Sequence, residues 1–198
     1  MHKIYYIMGK SASGKDAIYR RLQELLPEYR RITLYTTRPK RVGEMEGRDY
    51  HFVDERGLQE LDEAGKVIEL RAYDTSCGIW KYFTVDDGEI DLQRFSYLAI
   101  GTLCSYQEMK AYFGEEKVLP VYIEVEDGER LQRALKRERK QDMPQYAELC
   151  RRYLADREDF SEEKLCQAGI PRRFENQDLE SCLQEILQYI KEAGETSC

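Results

Sequence analysis

Lys15 and the residues ahead of it are the part of this chain best suited to chemistry. They read Gly9-Lys10-Ser11-Ala12-Ser13-Gly14-Lys15, a Gly-x-x-x-x-Gly-Lys spacing. An apolar run from Ile4 to Met8 precedes it, and a segment with helical periodicity follows from Asp16. The spacing has a physical purpose. The glycines let the backbone curl so that successive N–H groups converge on one anion. A helix starting there adds the positive end of its dipole, and the lysine reaches the outer phosphates. Gly9 through Lys15 are therefore candidate ligands of a nucleotide's phosphates. The alternative, a glycine turn carrying a surface lysine, does not explain the strand before it or the helix after it. The next position usually offers a Ser or Thr hydroxyl to Mg²⁺, and here it is Asp16. Two readings of Asp16 stand side by side. A carboxylate is a hard oxygen ligand that suits Mg²⁺, directly or through water. An acid is also favoured in any first helical turn by the dipole alone.

A second stretch, Thr36 to Phe52, carries Arg38 and Arg41 three residues apart, then Glu44 and Tyr50, with Gly43 and Gly47 between them. Arginine presents a planar fork that can donate two parallel hydrogen bonds to a phosphate. The Tyr50 hydroxyl is a further donor, and Glu44 is suited to hold an arginine in place. By itself the stretch reads as a solvated basic flap. Beside a phosphate loop it reads as a grip on a second phosphate.

These residues need elements to position them. Periodicity predicts strands at 3–8, 31–35, 67–73, Tyr97–Gly101, Val118–Glu124 and Arg173–Glu175. It predicts helices at 16–26, at 54–64 with Asp54 as cap, at Leu103–Phe113, at 128–140 capped by Asp127, at 144–160 opened by Pro144, and at 179–190. The segment 36–53 reads as an irregular or antiparallel flap, and the tail after Ala193 as frayed. Strands alternating with helices imply an α/β fold, a parallel sheet covered on both faces. Arg133, Arg137, Arg139, Arg151, Arg152 and Arg157 crowd two of the helices. Most of them read as solvated and paired with acids such as Glu138, Glu148 and Asp156.

Composition narrows the function classes. The 198 residues suit one domain with excursions, and 41% hydrophobic content is enough for a core. A net charge of −7 argues against a general nucleic-acid binder. No apolar run reaches membrane-spanning length, and the first strand leaves no room for a cleavable leader, so a cytoplasmic location and no membrane partner are expected. The six cysteines are scattered and read as reduced thiols. Two distant histidines do not make a metal cluster.

The long pattern Thr-Thr-Arg-x-x-Arg-x-Gly-Glu-x-x-Gly-x-Asp-Tyr-x-Phe, complete from Thr36 to Phe52, together with the phosphate loop resembles guanylate kinase. Val67-Ile68-Glu69 is similar to the family's acid-bearing strand, the arginine-rich stretch 133–157 sits where the family has a lid, and Phe174 to Leu179 resembles its closing Asn-x-Asp-Leu segment. The resemblance implies a P-loop NTPase-type sheet with core segments 1–34, 97–130 and 170–192, a monophosphate-binding flap at about 35–90 and a helical lid at about 131–160. It implies ATP and Mg²⁺ as cofactors and GMP as acceptor, with the enzyme a monomer or homodimer. Arg38, Arg41 and Tyr50 match the acceptor phosphate clamp. Glu69 matches the carboxylate that accepts from guanine N1–H and the 2-amino group, a reading that rejects adenine. Asn176 falls on the donor nucleotide, and Arg137 with Arg151 or Arg152 are the lid candidates.

Three departures bear on the base and the metal. Leu34 and Tyr35 stand where the family has serines. Cys77-Gly78 replaces a Tyr-Gly pair, unless Tyr82 is recruited from a shifted loop. Ala99-Ile100-Gly101 replaces Asp-x-Asp. The phosphate-binding parts are intact and the base and metal parts are altered. A kinase of another monophosphate, a non-catalytic binding module on the same fold, and a plain nucleotide hydrolase are the competing readings.

Overall fold

A computed structural model of the chain describes residues 2–75 and 78–195. In chain order the elements are β1 (Ile4–Met8), α1 (Lys15–Leu25), β2 (Arg30–Arg31), β3 (Tyr35–Thr36), β4 (His51–Phe52), α2 (Glu55–Glu63), β5 (Val67–Thr75) and β6 (Gly78–Val85). There follow β7 (Tyr97–Gly101), α3 (Leu103–Phe113), β8 (Val118–Glu124), α4 (Asp127–Glu138), α5 (Tyr146–Asp159), α6 (Glu162–Gln167), β9 (Arg173–Glu175) and α7 (Leu179–Glu195).

Every residue of β1 is buried, as expected of a strand covered on both faces. β1 is the middle strand of a parallel sheet ordered β2-β7-β1-β8-β9. Because side chains alternate along a strand, β1 feeds two cores. Ile4, Tyr6 and Met8 pack with Tyr106 and Met109 of α3, while Tyr5 and Ile7 pack with Ile18 and Leu22 of α1 and with Leu183 and Ile186 of α7. Leu25 shares the helical spacing of Ile18 and Leu22 but is exposed. The C-terminal end of β1 therefore points the phosphate loop out of a rigid sheet, at the edge where α/β folds bind ligands.

A second sheet, ordered β4-β3-β6-β5, carries the flap. It departs from the sequence reading in two ways. The single strand expected at 31–35 splits into β2, which joins the parallel sheet, and β3, which joins the other. The segment 78–85, read only as part of an excursion, is the long strand β6, antiparallel to β5. The alternation in β6 is weak because Gly78, Ile79 and Trp80 lie toward the sheet's open end.

The helix starts differ in detail. Asp54 caps α2 as expected, accepting from Gly57 N–H at 2.7 Å. Glu126, not Asp127, caps α4, taking the N–H groups of Gly128 and Glu129 at 2.9 Å each. α5 begins at Tyr146 rather than at Pro144. The short α6 was not expected, although Ser161 followed by Glu162 and Glu163 is a cap signature, and Ser161 Oγ accepts from Lys164 N–H. α7 runs to Glu195, past the point where fraying was expected. Cys77 and Cys198 lie outside the described residues. Among those described, no helix is long and apolar enough to cross a membrane.

Candidate active site

The phosphate loop is built by close approach. A Cβ on Gly9 would lie 2.6 Å from the Ile123 carbonyl oxygen and 2.8 Å from Ser13 Oγ. Gly14, the N-cap of α1, has φ 87°, and a Cβ there would run into the Asn176 amide nitrogen. Ala12 is the one non-glycine described at positive φ, 64°. Asn176 is buried and donates from Nδ2 to the Ser13 carbonyl at 2.7 Å. It thus braces the loop from behind, beside the place expected for the donor nucleotide. Asn176→Ala is expected to cost about 1–2 kcal/mol by leaving that carbonyl unsatisfied. A chemical denaturation midpoint equal to the parent's would show that the brace contributes nothing.

Lys15 opens α1, and its Nζ lies 3.3 Å from Asp16 Oδ2, with Asp16 largely exposed. Lys10 turns away from Lys15 and reaches Asp127 Oδ1 at 3.4 Å. Asp127 also takes Arg130 through Nε and Nη2 at 3.2 and 3.0 Å. Arg130, 1% exposed and lying 4.2 Å over the Tyr153 ring, bonds Asp156 Oδ2 at 3.0 Å and the Ser11 carbonyl at 3.3 Å. Asp156 completes the circuit by accepting the Ser11 N–H at 2.8 Å. This lid-to-loop tether spans residues too far apart in sequence to be read from it. Asp156→Ala leaves a buried guanidinium without one of its two carboxylates and should destabilise by about 3 kcal/mol. Asp156→Asn, which keeps an acceptor for Ser11, should cost less. Thermal melts of both decide it, and two unchanged curves would dismiss the tether.

Opposite Lys15, across a cavity of about 650 Å³, α5 presents Arg151 and Arg152, and β5 presents Tyr73 and Asp74. Arg151 is held by both oxygens of Glu148 at 2.7 and 2.8 Å. Arg152 Nε is buried and ion-paired with Glu148 Oε1 at 3.6 Å, with no hydrogen-bond partner among the described residues. Arg137 is exposed on α4 and is not part of that lining. Among the acids expected to pair with arginines, Glu138 instead accepts Gln145 N–H at 2.5 Å.

The flap residues converge as the spacing suggests. Arg38 is buried and gripped by Glu44 through both forks, Nη1 at 2.8 Å and Nη2 at 2.5 Å. Its Nε donates to the Tyr82 hydroxyl at 3.2 Å, and the Tyr50 ring lies 5.0 Å from the guanidinium. Arg41 offers its backbone N–H to Glu44 at 2.8 Å, and its guanidinium sits 5.7 Å over Trp80. The hydrogen bonds from Arg38 pull Glu44 down to about 2. A carboxyl with a folded value below its unfolded one adds stability at ordinary pH and loses it as pH falls toward 2. The clamp therefore stays charged across neutral and mildly acidic conditions. The pair's contribution to stability, read as the difference in melting temperature between the parent and Glu44→Gln, should be flat from about pH 5 to 8, and a difference that shrinks on acidification to about pH 5 would contradict this pairing.

Glu44, Tyr50, Leu34, Tyr6 and Thr84 line a cavity of about 280 Å³. Glu69 lies behind Thr84, 2% exposed. It accepts the Thr84 hydroxyl at 2.8 Å and both Nε and Nη2 of Arg71 at 2.9 and 3.0 Å. Arg71 escaped the sequence reading, although residues two apart on a strand share a face and a buried acid needs a partner. The loss of an acid at position 101 has a steric reason. A Cβ on Gly101 would lie 2.7 Å from Ser105 Oγ and 3.0 Å from Tyr6 Cζ. Tyr6 donates to Ser105 Oγ at 2.7 Å, and burial raises its pKa well above the usual tyrosine value. Away from the cleft, the ligand atoms of His51, Asp87 and Glu89 lie within 4.8 Å of one another, a grouping the spread of the histidines does not suggest.

A glycine-built loop of Gly-x-x-x-x-Gly-Lys spacing at the end of a parallel sheet, facing Arg151 and Arg152 of α5, is the arrangement of a P-loop α/β fold. The family model for guanylate kinase matches residues 1–86. Guanylate kinase of Mycobacterium bovis is 37% identical over 67 residues, 34% of this chain and 32% of that protein. The Rhodopseudomonas palustris guanylate kinase is 39% identical over 66 residues, 33% and 30% of the two chains. The chain thus aligns with about a third of the length of these relatives. The crystal structure of guanylate kinase from Anaplasma phagocytophilum superposes with a TM-score of 0.65 at 20% identity, over 96% of this chain and 85% of that one. The sequence likeness to guanylate kinases thus lies in the loop and flap, and the likeness of fold runs along nearly the whole chain.

Proposed function

We propose that the protein transfers the γ-phosphoryl group of ATP to GMP, giving ADP and GDP. The observation that carries this reading is the pairing of a complete phosphate loop with a second, preorganised phosphate grip, Arg38 locked by Glu44 beside Tyr50 and Tyr82. A hydrolase needs no second grip.

The loop suits a nucleotide triphosphate. Its glycines leave no room for side chains, and Ser13 Oγ is buried without a hydrogen-bond partner among the described residues. The loop amides and Lys15 hold the donor phosphates, and Arg152 and Arg151 offer positive charge from the opposite wall. Arg38, Arg41 and Tyr50 hold the acceptor phosphate in line, and Glu69 lies at the base end. Phosphoryl transfer asks little covalent work of side chains, so positioning and charge stabilisation dominate. The acceptor phosphate is already ionised and needs no general base. Asp16 is the residue we assign to hold Mg²⁺, which would supply positive charge at the donor phosphates. If Asp16→Ser leaves the Mg²⁺ dependence unchanged or improves turnover, that assignment fails.

A coupled ADP-release assay tests the function itself. ADP should appear only when Mg-ATP and GMP are both present, and Lys15→Ala should remove it. ADP release independent of an acceptor would indicate a hydrolase. No release with any monophosphate would indicate a binding module.

A further inference from the structure

We propose that Arg71 reads the acceptor base alongside Glu69, so that the site selects 6-oxopurine monophosphates as a class, GMP and IMP alike; this rests on the acceptor site assigned above. The argument begins with the carboxylate. For Glu69 to take guanine N1–H and the 2-amino group together, both of its oxygens must be available. Three of roughly four acceptor positions on a carboxylate are already filled, two by Arg71 and one by Thr84. One position is left, enough for N1–H and too few for the pair of donors that distinguishes guanine from hypoxanthine.

The same bonds define what Arg71 has to offer. Nε and Nη2 face Glu69, and the fixed fork of a guanidinium then directs Nη1 away from the carboxylate. The side chains of Glu69 and Arg71 are 1% and 14% exposed. Burial works against the Arg71 charge, and Glu69 together with Tyr6 restores it. Thr84, bonded to Glu69, and Tyr6 line the cavity, with the Glu69–Arg71 pair behind Thr84. Leu34 on the same lining brings no hydroxyl to a base. An arginine is a strong donor to the 6-oxo edge of a purine and is repelled by the 6-amino group of adenine. A neutralised acid beside an arginine donor thus rewards the 6-oxo group and is indifferent to the 2-amino group.

Binding calorimetry on the intact chain with GMP, IMP and AMP is the test. GMP and IMP should bind within about tenfold of each other. AMP should be weaker by about 5-fold or more, the lower end of the range for a bidentate base contact, because Nη1 is the Arg71 nitrogen not bonded to Glu69. Arg71→Lys keeps a cation for Glu69 and loses the fork, so it should shrink both the GMP:AMP and the IMP:AMP ratios toward one. A melting curve checks that this variant is folded, and a merely structural arginine would leave the ratios unmoved. Wild-type binding that favours GMP over IMP by more than about 100-fold overturns the proposal, because a site that pairs with a group rejects the analogue lacking it. Unchanged ratios in folded Arg71→Lys, or no binding of GMP and IMP, overturn it equally. Because binding is read without turnover, equal GMP and IMP affinity in a protein that makes no ADP would uphold the base reading and count against phosphoryl transfer.

Discussion

Lys15→Ala is expected to lower turnover by at least about 10²–10³-fold, the usual cost of one preorganised charge contact to a developing anion. Its ammonium is the cation contributed by the loop itself, since Lys10 is drawn to Asp127 instead. Lys15 is also held near the loop by Asp16 at 3.3 Å, which limits the freedom lost when a phosphate arrives. The acceptor grip lies on a different sheet. GMP affinity should therefore stay within a few-fold of the parent. Steady-state rates with calorimetric GMP binding separate the two effects. Full turnover in Lys15→Ala would remove the phosphate loop from the chemistry.

Disrupting the Arg38–Glu44 pair should have the second large effect, and the two ends of the pair should fail differently. Glu44→Gln leaves a buried guanidinium with a neutral partner. That change should lower the melting temperature, with the Tyr82 hydroxyl and the Pro39 carbonyl, which also accept from Arg38, limiting the loss. Arg38→Lys keeps the charge but not the planar fork, so the two-point grip on Glu44 is lost together with the N–H left over for a phosphate. That variant should fold and show acceptor KM raised by at least about tenfold, the value of one charge-assisted hydrogen bond. A chemical melt and an acceptor titration on each variant separate stability from binding. Arg38→Lys with parental KM would mean that Arg38 serves only the flap's structure.

The residues that grip phosphates were legible because their chemistry is local. The loop is one turn between β1 and α1, and Arg38 finds Glu44 six residues later, so spacing alone carries the geometry. Helices with strong apolar periodicity, α1 and α7 among them, were legible for the same reason. What was hidden depends on distant partners. Arg130 meets Asp156 across two helices, and Tyr6 fills the space above Gly101 from a neighbouring strand. β6 was hidden because its exposed outer half breaks the alternation, and the strand at 31–35 was misjudged because two short pieces serve different sheets. Arg71 is the instructive miss. Strand periodicity puts it on the same face as Glu69, and the cost of burying an acid requires a partner there.

The most direct measurement is a ³¹P NMR time course of the protein with Mg-ATP and GMP. Phosphoryl transfer between the two sites requires the ADP and GDP resonances to rise in parallel as ATP and GMP fall, with no inorganic phosphate. ATP loss that appears as inorganic phosphate with GMP untouched would contradict it.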